Sequence, residues 1–600
     1  MSQSDSSPDL SQRRRPRGRS SLFAHGEPWV WLTGGTLAVC ALMVVGLLLL
    51  VLYKGLATFW PQRVVLVETP AGPYMGEITR YDDYRPAANN LADLDTTARQ
   101  RADQEIAAND GWAARRLIRT GNFRLTQNHF HWVSSYEVNA EEQPEWAMVL
   151  ERLEWGRFYG MPVAFVYRHE DGSEDKRIEG PAAAWETFQA EHGAVRERWE
   201  ERRELEKHDT GRVNRRQEAA RLRVREAELA LAQAESGGDA ARVEGARQTL
   251  DAEKVEFETI RSWADGEFAQ IRAEIDAINA ENARYQLVMR TAGEGSIPPA
   301  EVSIPLDQIV RAYPANRVGV GSKLGIYFSR WTEFLIDEPR EANSEGGVFP
   351  AIFGTVAMTI IMSIAVVPFG VMAALYLREY AKAGPLVSAV RIAVNNLAGV
   401  PSIVFGVFGL GFFCYVVGAS IDELFFSARL PNPTYGTGGL LWASFTLALL
   451  TLPVVIVATE EAIAAVPNSM REGSFACGAS KWQTIQRIVL PRALPGIITG
   501  MILAIARGAG EVAPLMLVGA VKLAPELPID AVAPFIHPER SFMHLGFHIY
   551  DVGFQSQNSE AAKPMVFTTT LLLISIVAAL NFAAIYLRGR LRRRFIGGQF

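Results

Sequence analysis

Residues 460–496 read EEAIAAVPNSMREGSFACGASKWQTIQRIVLPRALPG and separate two strongly apolar runs. This stretch is too polar to cross a membrane and too rich in small residues to be a simple linker. Glycine and proline interrupt regular structure more strongly than other residues, so their positions divide the segment. We predict a helix over 472–479, a turn at Gly478, and a second helix that ends at Leu490-Pro491.

Six apolar runs lie around this segment, and each is long enough to cross about 30 Å of hydrocarbon as a helix. They cover residues 29–53, 349–377, 388–418, 437–458, 493–521 and 566–587. A charged block separates the first two runs, because residues 61–348 carry 88 of the 126 charged side chains in this 600-residue chain of net charge −6. The sequence therefore predicts an all-α polytopic membrane protein of six transmembrane helices with one large polar insert.

Basic residues indicate which side of the membrane each connection faces. Five arginines lie in a tail at 1–28, ahead of the first transmembrane helix at 29–53. Lys and Arg also mark 378–387, the loop 459–492 and the C-terminus. Short loops rich in Lys and Arg stay in the cytoplasm. We therefore predict cytoplasmic termini, and an insert at 54–348 that is extracytoplasmic.

One part of the insert has the composition of a small sheet domain. Residues 54–183 and 296–348 contain short stretches rich in β-branched and aromatic residues, which Gly, Pro and Asp separate. Three of these stretches are 63–68, 122–133 and 161–169. We predict a β or mixed domain here, which makes the insert as a whole α+β.

The other part of the insert, 184–295, is rich in Glu, Arg, Ala and Gln and contains no proline. The motif SGGD at 236–239 divides it into arms at 184–235 and 239–288, and the near-equal lengths favour a helical hairpin. Apolar residues repeat every seven positions along the second arm, which keeps one face toward a partner helix. The repeat consists of Val243, Leu250, Phe257, Ala264, Ile271, Ile278 and Tyr285. We predict an antiparallel coiled-coil hairpin, with a loosely packed pair of charged helices as the alternative.

Two charges lie within the fifth apolar run, where 503–520 read LAIARGAGEVAPLMLVGA. A charge at the centre of a bilayer costs from about 2.5 to more than 10 kcal/mol. Arg507 and Glu511 are four residues apart, a spacing that puts both on one helix face and lets them pair. The planar guanidinium of arginine is always charged and matches the oxygens of an oxyanion. We interpret the two residues as an anion path; a structural ion pair that holds the helices together is the alternative.

Other candidate sites are weaker. His129 with His131, and His544 with His548, have spacings found in metal sites, but neither pair has an obvious third ligand, so we predict no metal site. Two asparagines near the start of the third run, Asn395 and Asn396, fit helix packing or capping better than substrate binding. The chain also has no G-x-x-x-x-G-K-[ST] phosphate loop, so we expect no ATP hydrolysis by that route.

The opening segment resembles a known motif at every spacing. The membrane subunits of binding-protein-dependent ABC importers carry Glu-Ala-Ala, three residues, Gly, nine residues, Ile, one residue and Leu-Pro. The matching residues here are Glu472, Gly473, Ser474, Gly478, Ile488, Leu490 and Pro491, with Gly-Ser in place of Ala-Ala. Three further stretches, at 330–356, 395–413 and 506–515, resemble the permease pair of phosphate ABC importers, the latter two its PstA member most. The resemblance covers about 320–600 and the first run, but not the insert.

The resemblance implies that 349–600 is a permease domain with five transmembrane helices and that 472–491 docks on an ATPase, although a generic amphipathic loop is an alternative. In that family the residues matching Arg507 and Glu511 are implicated in transport. The implied function is ATP-driven import of inorganic phosphate across the bacterial inner membrane by alternating access, with no enzyme activity in this chain. Import of another oxyanion, or an envelope scaffold that acts through the coiled coil, are the alternatives.

The resemblance also implies the partners. We expect a homologous permease subunit of the PstC kind, a PstB-like ATPase dimer and a PstS-like phosphate-binding protein. Membrane lipid is a further expected partner of this chain. ATP and Mg²⁺ then belong to the ATPase, and this chain binds no cofactor of its own. Nucleic acid is not among the expected partners.

Overall fold

A computed structural model of the chain describes residues 27–87, 91, 94–169, 171–556 and 558–596. In these residues six helices are long and apolar enough to cross a membrane, as the sequence predicts. They are Trp29–Ala57, Phe349–Tyr380, Ser402–Phe425, Leu440–Ala464, Lys481–Gly510 and Ser559–Arg590, numbered here as spans 1 to 6.

Residues Met1–Lys54 form a unit of their own. Its described part is one apolar helix, which begins at Glu27 and carries span 1. Most of the predicted basic tail lies outside the described residues. Its arginines are Arg13, Arg14, Arg15, Arg17 and Arg19.

Predicted spans 3 and 5 have wrong boundaries at a point where the helix is interrupted. Span 3 begins at Ser402 instead of residue 388, and residues 388–397 belong to a separate helix, Pro385–Leu397. Pro401 explains the break, because a proline disfavours helical conformation in the residue before it. Span 5 ends at Gly510 instead of residue 521, and a short helix, Ala513–Val518, follows it. Glycines in the last turn of span 5 weaken the helix there.

Spans 2, 4 and 5 pack closely at the centre of the membrane body. Small residues recur one turn apart along span 5 at Gly496, Gly500, Ala504 and Gly508. A Cβ added at Gly496 would lie 2.4 Å from the Cβ of Ala462, and one added at Gly500 would lie 2.8 Å from the Cβ of Ala458. Small residues of this kind let two membrane helices approach closely, so spans 4 and 5 are in near-backbone contact.

Successive spans cross the body in opposite directions. From span 2 onward, this places the insert and residues 426–439 and 511–558 on one side, which we call the insert side. Residues 381–401 and 465–480 lie on the other, which we call the coupling side.

The sheet part of the insert contains two large antiparallel sheets and a small two-stranded one formed by Pro339–Arg340 and Glu345–Gly346. One large sheet has the strand order β4-β3-β2-β1-β5, and the other has the order β10-β9-β7-β6-β11 with β8 also paired to β7. The strands are β1 Val64–Thr69, β2 Gly72–Tyr84, β3 Ala113–Arg119, β4 Phe130–Ser134, β5 Ala140–Glu142, β6 Met148–Arg152, β7 Phe158–Arg168, β8 Glu174–Glu179, β9 Tyr285–Arg290, β10 Glu301–Pro305 and β11 Ile309–Pro314. The stretch predicted as one strand at 122–133 is wrong at its start. Asn122 has a φ of 53°, and Phe123–Thr126 form a helical turn before β4.

The helical part of the insert is a hairpin between β8 and β9. Its first arm runs continuously from Pro181 to Gly237, and its second is the helix Ala240–Ala283. The predicted break occurs at Gly238, whose φ of 71° suits glycine. Buried residues from both arms face each other. They are Val213, Ala220 and Ala227 of the first arm, and Leu250, Ile260, Ala264 and Ile271 of the second.

The second arm is shorter than the sequence predicts. It ends at Ala283, because Tyr285 begins β9 and pairs with Tyr167 of β7. The hairpin lies along the insert side, where Arg203 pairs with Glu338 at 2.8 Å and Arg215 approaches Glu526 at 3.9 Å. The helices form an antiparallel pair, and a coiled coil stays a prediction.

Candidate functional site

Arg507 lies in the last turn of span 5, and Glu511 is the residue at which that helix ends. Glu511 has extended backbone angles, φ −81° and ψ 136°, and its N–H donates to the carbonyl of Gly508 at 3.3 Å. Nε of Arg507 is 3.6 Å from Oε1 of Glu511. The two residues therefore pair as the spacing predicts, but the prediction of one shared helix face is wrong because Glu511 lies outside the helix.

The electrostatics of this pair favour a loosely held arginine. A cation in the last turn of a helix complements the negative end of the helix dipole. The 3.6 Å separation is longer than a normal hydrogen bond, so Glu511 neutralises Arg507 without holding it tightly. The two side chains are 33% and 23% exposed in this chain, so the pair borders open space. A guanidinium has five N–H donors, and several remain for a further anionic ligand.

Several elements meet at this turn. A Cβ added at Gly508 would lie 2.4 Å from Sδ of Met362 in span 2, and one at Gly406 in span 3 would lie 2.7 Å from Cα of Pro514. On the insert side, a Cβ at Gly546 would lie 2.7 Å from a methyl group of Val512. Spans 2 and 3 and the short helix Leu545–Tyr550 thus contact the Arg507–Glu511 turn or the residues that follow it.

The opening segment forms a helix, Asn468–Ala476, and a turn at Gly478 with φ 81°. A second helix begins at Lys481, where Ser480 caps it through the N–H of Gln483. This helix does not end at Leu490-Pro491 as the sequence predicts. It widens into a π-helical turn over Ile485–Val489, then continues as span 5. The wider turn accommodates Pro491, which lacks an N–H and would otherwise clash with the preceding turn.

The residues of the matched motif occupy different positions in this helix-turn-helix. Glu472, Gly473 and Gly478 are exposed on the coupling side. Ser474 is half-buried, and its Oγ lies 2.8 Å from Oγ1 of Thr484, which joins the two helices. The remaining motif residues, Ile488, Leu490 and Pro491, are half-buried in the second helix.

Sequence reasoning missed two aromatic residues beside the motif. Phe475 and Trp482 are 47% and 55% exposed, one on each helix of the segment. Exposed aromatic side chains are enriched among residues that dominate protein–protein binding. They lie near the exposed Glu472 on the coupling side, and no spacing in the sequence singles them out.

Three of the four candidate histidines have partners of other kinds. His131 stacks on Tyr74 with 4.1 Å between ring centroids, and His129 stacks on Phe123 at 4.4 Å. Nδ1 of His544 accepts the N–H of Gly546 at 3.1 Å. Within the described ranges, no group of three or more His, Cys, Asp or Glu side chains is arranged to hold a metal ion.

Asn395 and Asn396, predicted near the start of span 3, lie instead in the helix Pro385–Leu397. Both side chains are exposed on the coupling side.

The part of the chain from span 2 to span 6 matches a known protein family. Residues 366–597 match the family described as "Binding-protein-dependent transport system inner membrane component". Phosphate transport system permease protein PstA 1 of Mycobacterium tuberculosis (strain CDC 1551 / Oshkosh) is 35% identical over 259 residues, which are 42% of this chain and 73% of that protein. PstA of Mycobacterium leprae is 41% identical over 194 residues, 32% of this chain and 57% of that protein. This chain thus spans little more than half of the second relative.

Solved structures of other ABC transporters are also similar to this chain. The MetNI methionine ABC transporter has a chain with 21% identity and a TM-score of 0.30, over 40% of this chain and 94% of that one. Such a score is too low to support an argument about conformation. The family match and the identity over nearly three quarters of the M. tuberculosis protein are sufficient by themselves: this chain is a multi-pass inner-membrane protein that belongs to the binding-protein-dependent transport system inner membrane components.

Proposed function

We propose that this protein is the permease subunit of an ATP-driven ABC importer that moves inorganic phosphate across the cytoplasmic membrane. The loose Arg507–Glu511 pair at the end of span 5 carries the proposal. It offers a permanently charged anion ligand at a break in a transmembrane helix. Relatives named as phosphate transport permeases support phosphate as the anion.

The pair is suited to transfer an anion rather than to trap it. Arginine binds phosphate oxygens through two parallel N–H donors. An arriving phosphate displaces the carboxylate of Glu511, which lies 3.6 Å away and is held loosely. When access changes, Glu511 returns to Arg507 and repels the anion. Release therefore needs no separate group to neutralise the arginine.

The coupling side faces the cytoplasm in this proposal, as its basic loops predict. A partner ATPase dimer, which holds ATP and Mg²⁺, docks on Glu472, Phe475 and Trp482. Span 5 is one helix from Lys481 to Gly510, so Arg507 lies about 39 Å along the axis from its start. When the ATPase displaces residues 472–482, span 5 moves with them, and Arg507 and Glu511 move with span 5. This movement drives alternating access.

The insert side faces outward and receives the phosphate-loaded binding protein. We propose a PstC-like second permease, a PstB-like ATPase and a PstS-like binding protein as the other subunits. The motif at 472–491 and the family membership support an ATPase and a solute-binding protein as partner classes. The identities of the relatives support the phosphate-specific forms.

Reconstitution tests this function. The chain is placed in proteoliposomes with its second permease and ATPase, and binding proteins loaded with phosphate, sulfate or molybdate are supplied in separate experiments. We expect ATP-dependent uptake with phosphate and none with the other anions. Equal uptake of another oxyanion would show that the substrate is wrong, and ATP hydrolysis without uptake of any would show that the chain is not a permease.

A further inference from the structure

Glu379 lies in a π-helical turn, Tyr376–Tyr380, at the coupling end of span 2. Its carboxylate is 3.1 Å from Nη2 of Arg471. Arg471 belongs to the helix Asn468–Ala476, the first of the two helices that flank the turn at Gly478 and that we call the coupling segment. The side chains are 13% and 16% exposed, so both charges are largely removed from water. Removing one charge of such a pair leaves the other poorly solvated, which makes separation of the pair costly.

Arg471 is also fixed to span 4. Its Nη2 donates to the carbonyl of Ile463 at 2.9 Å, and its Nη1 donates to the carbonyl of Val466 at 2.5 Å. Both carbonyls lie at the C-terminal end of span 4, where the regular hydrogen bonds of the helix stop. The guanidinium therefore has one orientation, in which it connects the end of span 4 to Glu379.

The same turn of span 2 contacts the start of span 5. Nζ of Lys481 donates to the main-chain carbonyl of Glu379. The same ammonium lies 4.9 Å from the ring centroid of Tyr380, within the range of a cation–π interaction. Both helices of the coupling segment are thus attached to one turn at the end of span 2.

Span 2 also contacts the turn that carries Arg507. Met362 of span 2 packs on Gly508, the residue after Arg507, where an added Cβ would lie 2.4 Å from Sδ. Met362 is 17 residues from Glu379 in one continuous helix, or about 26 Å along its axis. Span 2 therefore connects the coupling segment to the Arg507 turn along one helix, in which Pro368 lies between the two contacts.

We propose that Glu379 is a positioning residue that transmits motion of the coupling segment to span 2. The Arg507 turn is then driven from two sides, directly through span 5 and laterally through Met362 of span 2. This inference rests on the proposed function. It adds that span 2 must move with span 5 for ATP hydrolysis to be converted into transport.

The test uses Glu379→Gln in the complete reconstituted transporter. We expect the complex to assemble and to hydrolyse ATP at a rate near that of the wild type. Phosphate moved per ATP falls by about tenfold, within the usual range of coupling energies between sites. Arg378→Gln, an exposed residue of the same turn, is the matched control and keeps the wild-type ratio.

A double variant, Glu379→Gln with Arg471→Gln, removes both charges and leaves none unpaired. It is the variant to measure if the single change prevents assembly, and we expect the same loss of phosphate moved per ATP. A wild-type ratio in either assembled variant overturns the inference, as does a parallel loss of hydrolysis and uptake, which marks a purely structural role. If the wild-type transporter shows no uptake in this assay, the proposed function is wrong, and the result says nothing about Glu379.

Discussion

Arg330 and Glu151 form a buried ion pair that joins the helix Val320–Ile336, which precedes span 2, to β6. Nε of Arg330 donates to Oε1 of Glu151 at 2.8 Å, and the two side chains are 4% and 8% exposed. Nη1 of the same guanidinium donates to the carbonyl of Phe59 at 2.9 Å. Nη2 donates to the hydroxyl of Tyr313 at 2.7 Å. One arginine therefore connects β6, β11 and the chain that enters the insert.

Glu151→Gln should destabilise the insert by about 3–5 kcal/mol, because it leaves Arg330 buried without its carboxylate. Burial alone would raise the pKa of Glu151, but Arg330, Arg311 and Arg157 hold it well below its usual range. The measurement is thermal unfolding of the purified full chain in detergent, with limited proteolysis of the insert as a second readout. Glu154→Gln, an exposed neighbour, is the control. Equal stability of the two variants would contradict the ion pair's role.

The insert should also lose stability as the pH falls below about 6.5, the ordinary pKa of histidine. Burial lowers the pKa of His192, and its neutral ring donates from Nε2 to the carbonyl of Ile309 at 2.7 Å. A folded-state pKa below the unfolded value means that the unfolded chain binds more protons in this range. The stability that this group contributes is thus complete above about pH 6.5 and is lost as the pH falls through the folded-state pKa.

His192→Gln is the variant that isolates this effect, since glutamine keeps an N–H donor for Ile309 but does not titrate in this range. Melting temperatures of both proteins at pH 7.5 and 5.5 give the comparison. We expect a smaller decrease for the variant. Some decrease should remain, because burial also lowers the pKa values of His129 and His131. Identical decreases would mean that His192 is not a source of the pH dependence.

The features that the sequence predicts correctly are those with local signals. Span number follows from apolar length, and the turns at Gly478 and Gly238 follow from glycine. The breaks at Pro401 and Glu511 were missed because both lie inside apolar runs, where hydropathy does not change. Tyr285 fits the heptad repeat but belongs to β9, because pairing with Tyr167 outweighs the local helical pattern.

The features that the sequence does not predict depend on contacts between residues that are distant along the chain. Glu379 and Arg471 are 92 positions apart, so no spacing within one helix reveals their pairing. The exposed aromatics Phe475 and Trp482 become a surface only when the turn at Gly478 brings their helices together. By contrast, the small residues at Gly496, Gly500, Ala504 and Gly508 have a four-residue period that the sequence alone contains.

Arg507→Ala should abolish phosphate uptake while the protein still inserts into the membrane and binds the ATPase. Two charge-assisted hydrogen bonds to the anion are lost, each worth about 1.5–3 kcal/mol. Arg507→Lys keeps the charge but not the planar fork, so we expect partial uptake. Uptake in membrane vesicles is the measurement, and Arg492→Ala, an exposed position in the first half of the same helix, is the control. Normal transport by Arg507→Ala would leave the pair as a structural ion pair only.

Gly500→Val should weaken the packing of spans 4 and 5. The Cβ alone would lie 2.8 Å from that of Ala458, so the two helices must separate. Overpacking of this kind costs about 1–3 kcal/mol. The midpoint of thermal aggregation in detergent measures the change. Gly411→Val in span 3 is the matched control, since a Cβ there meets no atom of the described residues within 4 Å.

A shortened hairpin should leave phosphate uptake close to that of the wild type. Deleting 218–235 and 240–257 removes 18 residues, or about five helical turns, from each arm and keeps the turn at 236–239. The removed part is held by contacts between the arms, such as Arg223 with Glu253 at 3.1 Å, and contains neither the anion pair nor the coupling segment. The cut must stop short of Tyr285, because β9 pairs with both β7 and β10 and its loss would disrupt the sheet.

This deletion separates a permease from a scaffold that acts through the hairpin. A scaffold has no uptake to preserve, whereas a permease keeps its uptake if the hairpin serves another purpose. The approach of Arg215 to Glu526 survives the cut, so the arrangement of the insert side is retained. Loss of uptake in a shortened protein that is folded and assembled would therefore place the distal hairpin in the transport cycle itself, as part of the surface that receives the binding protein.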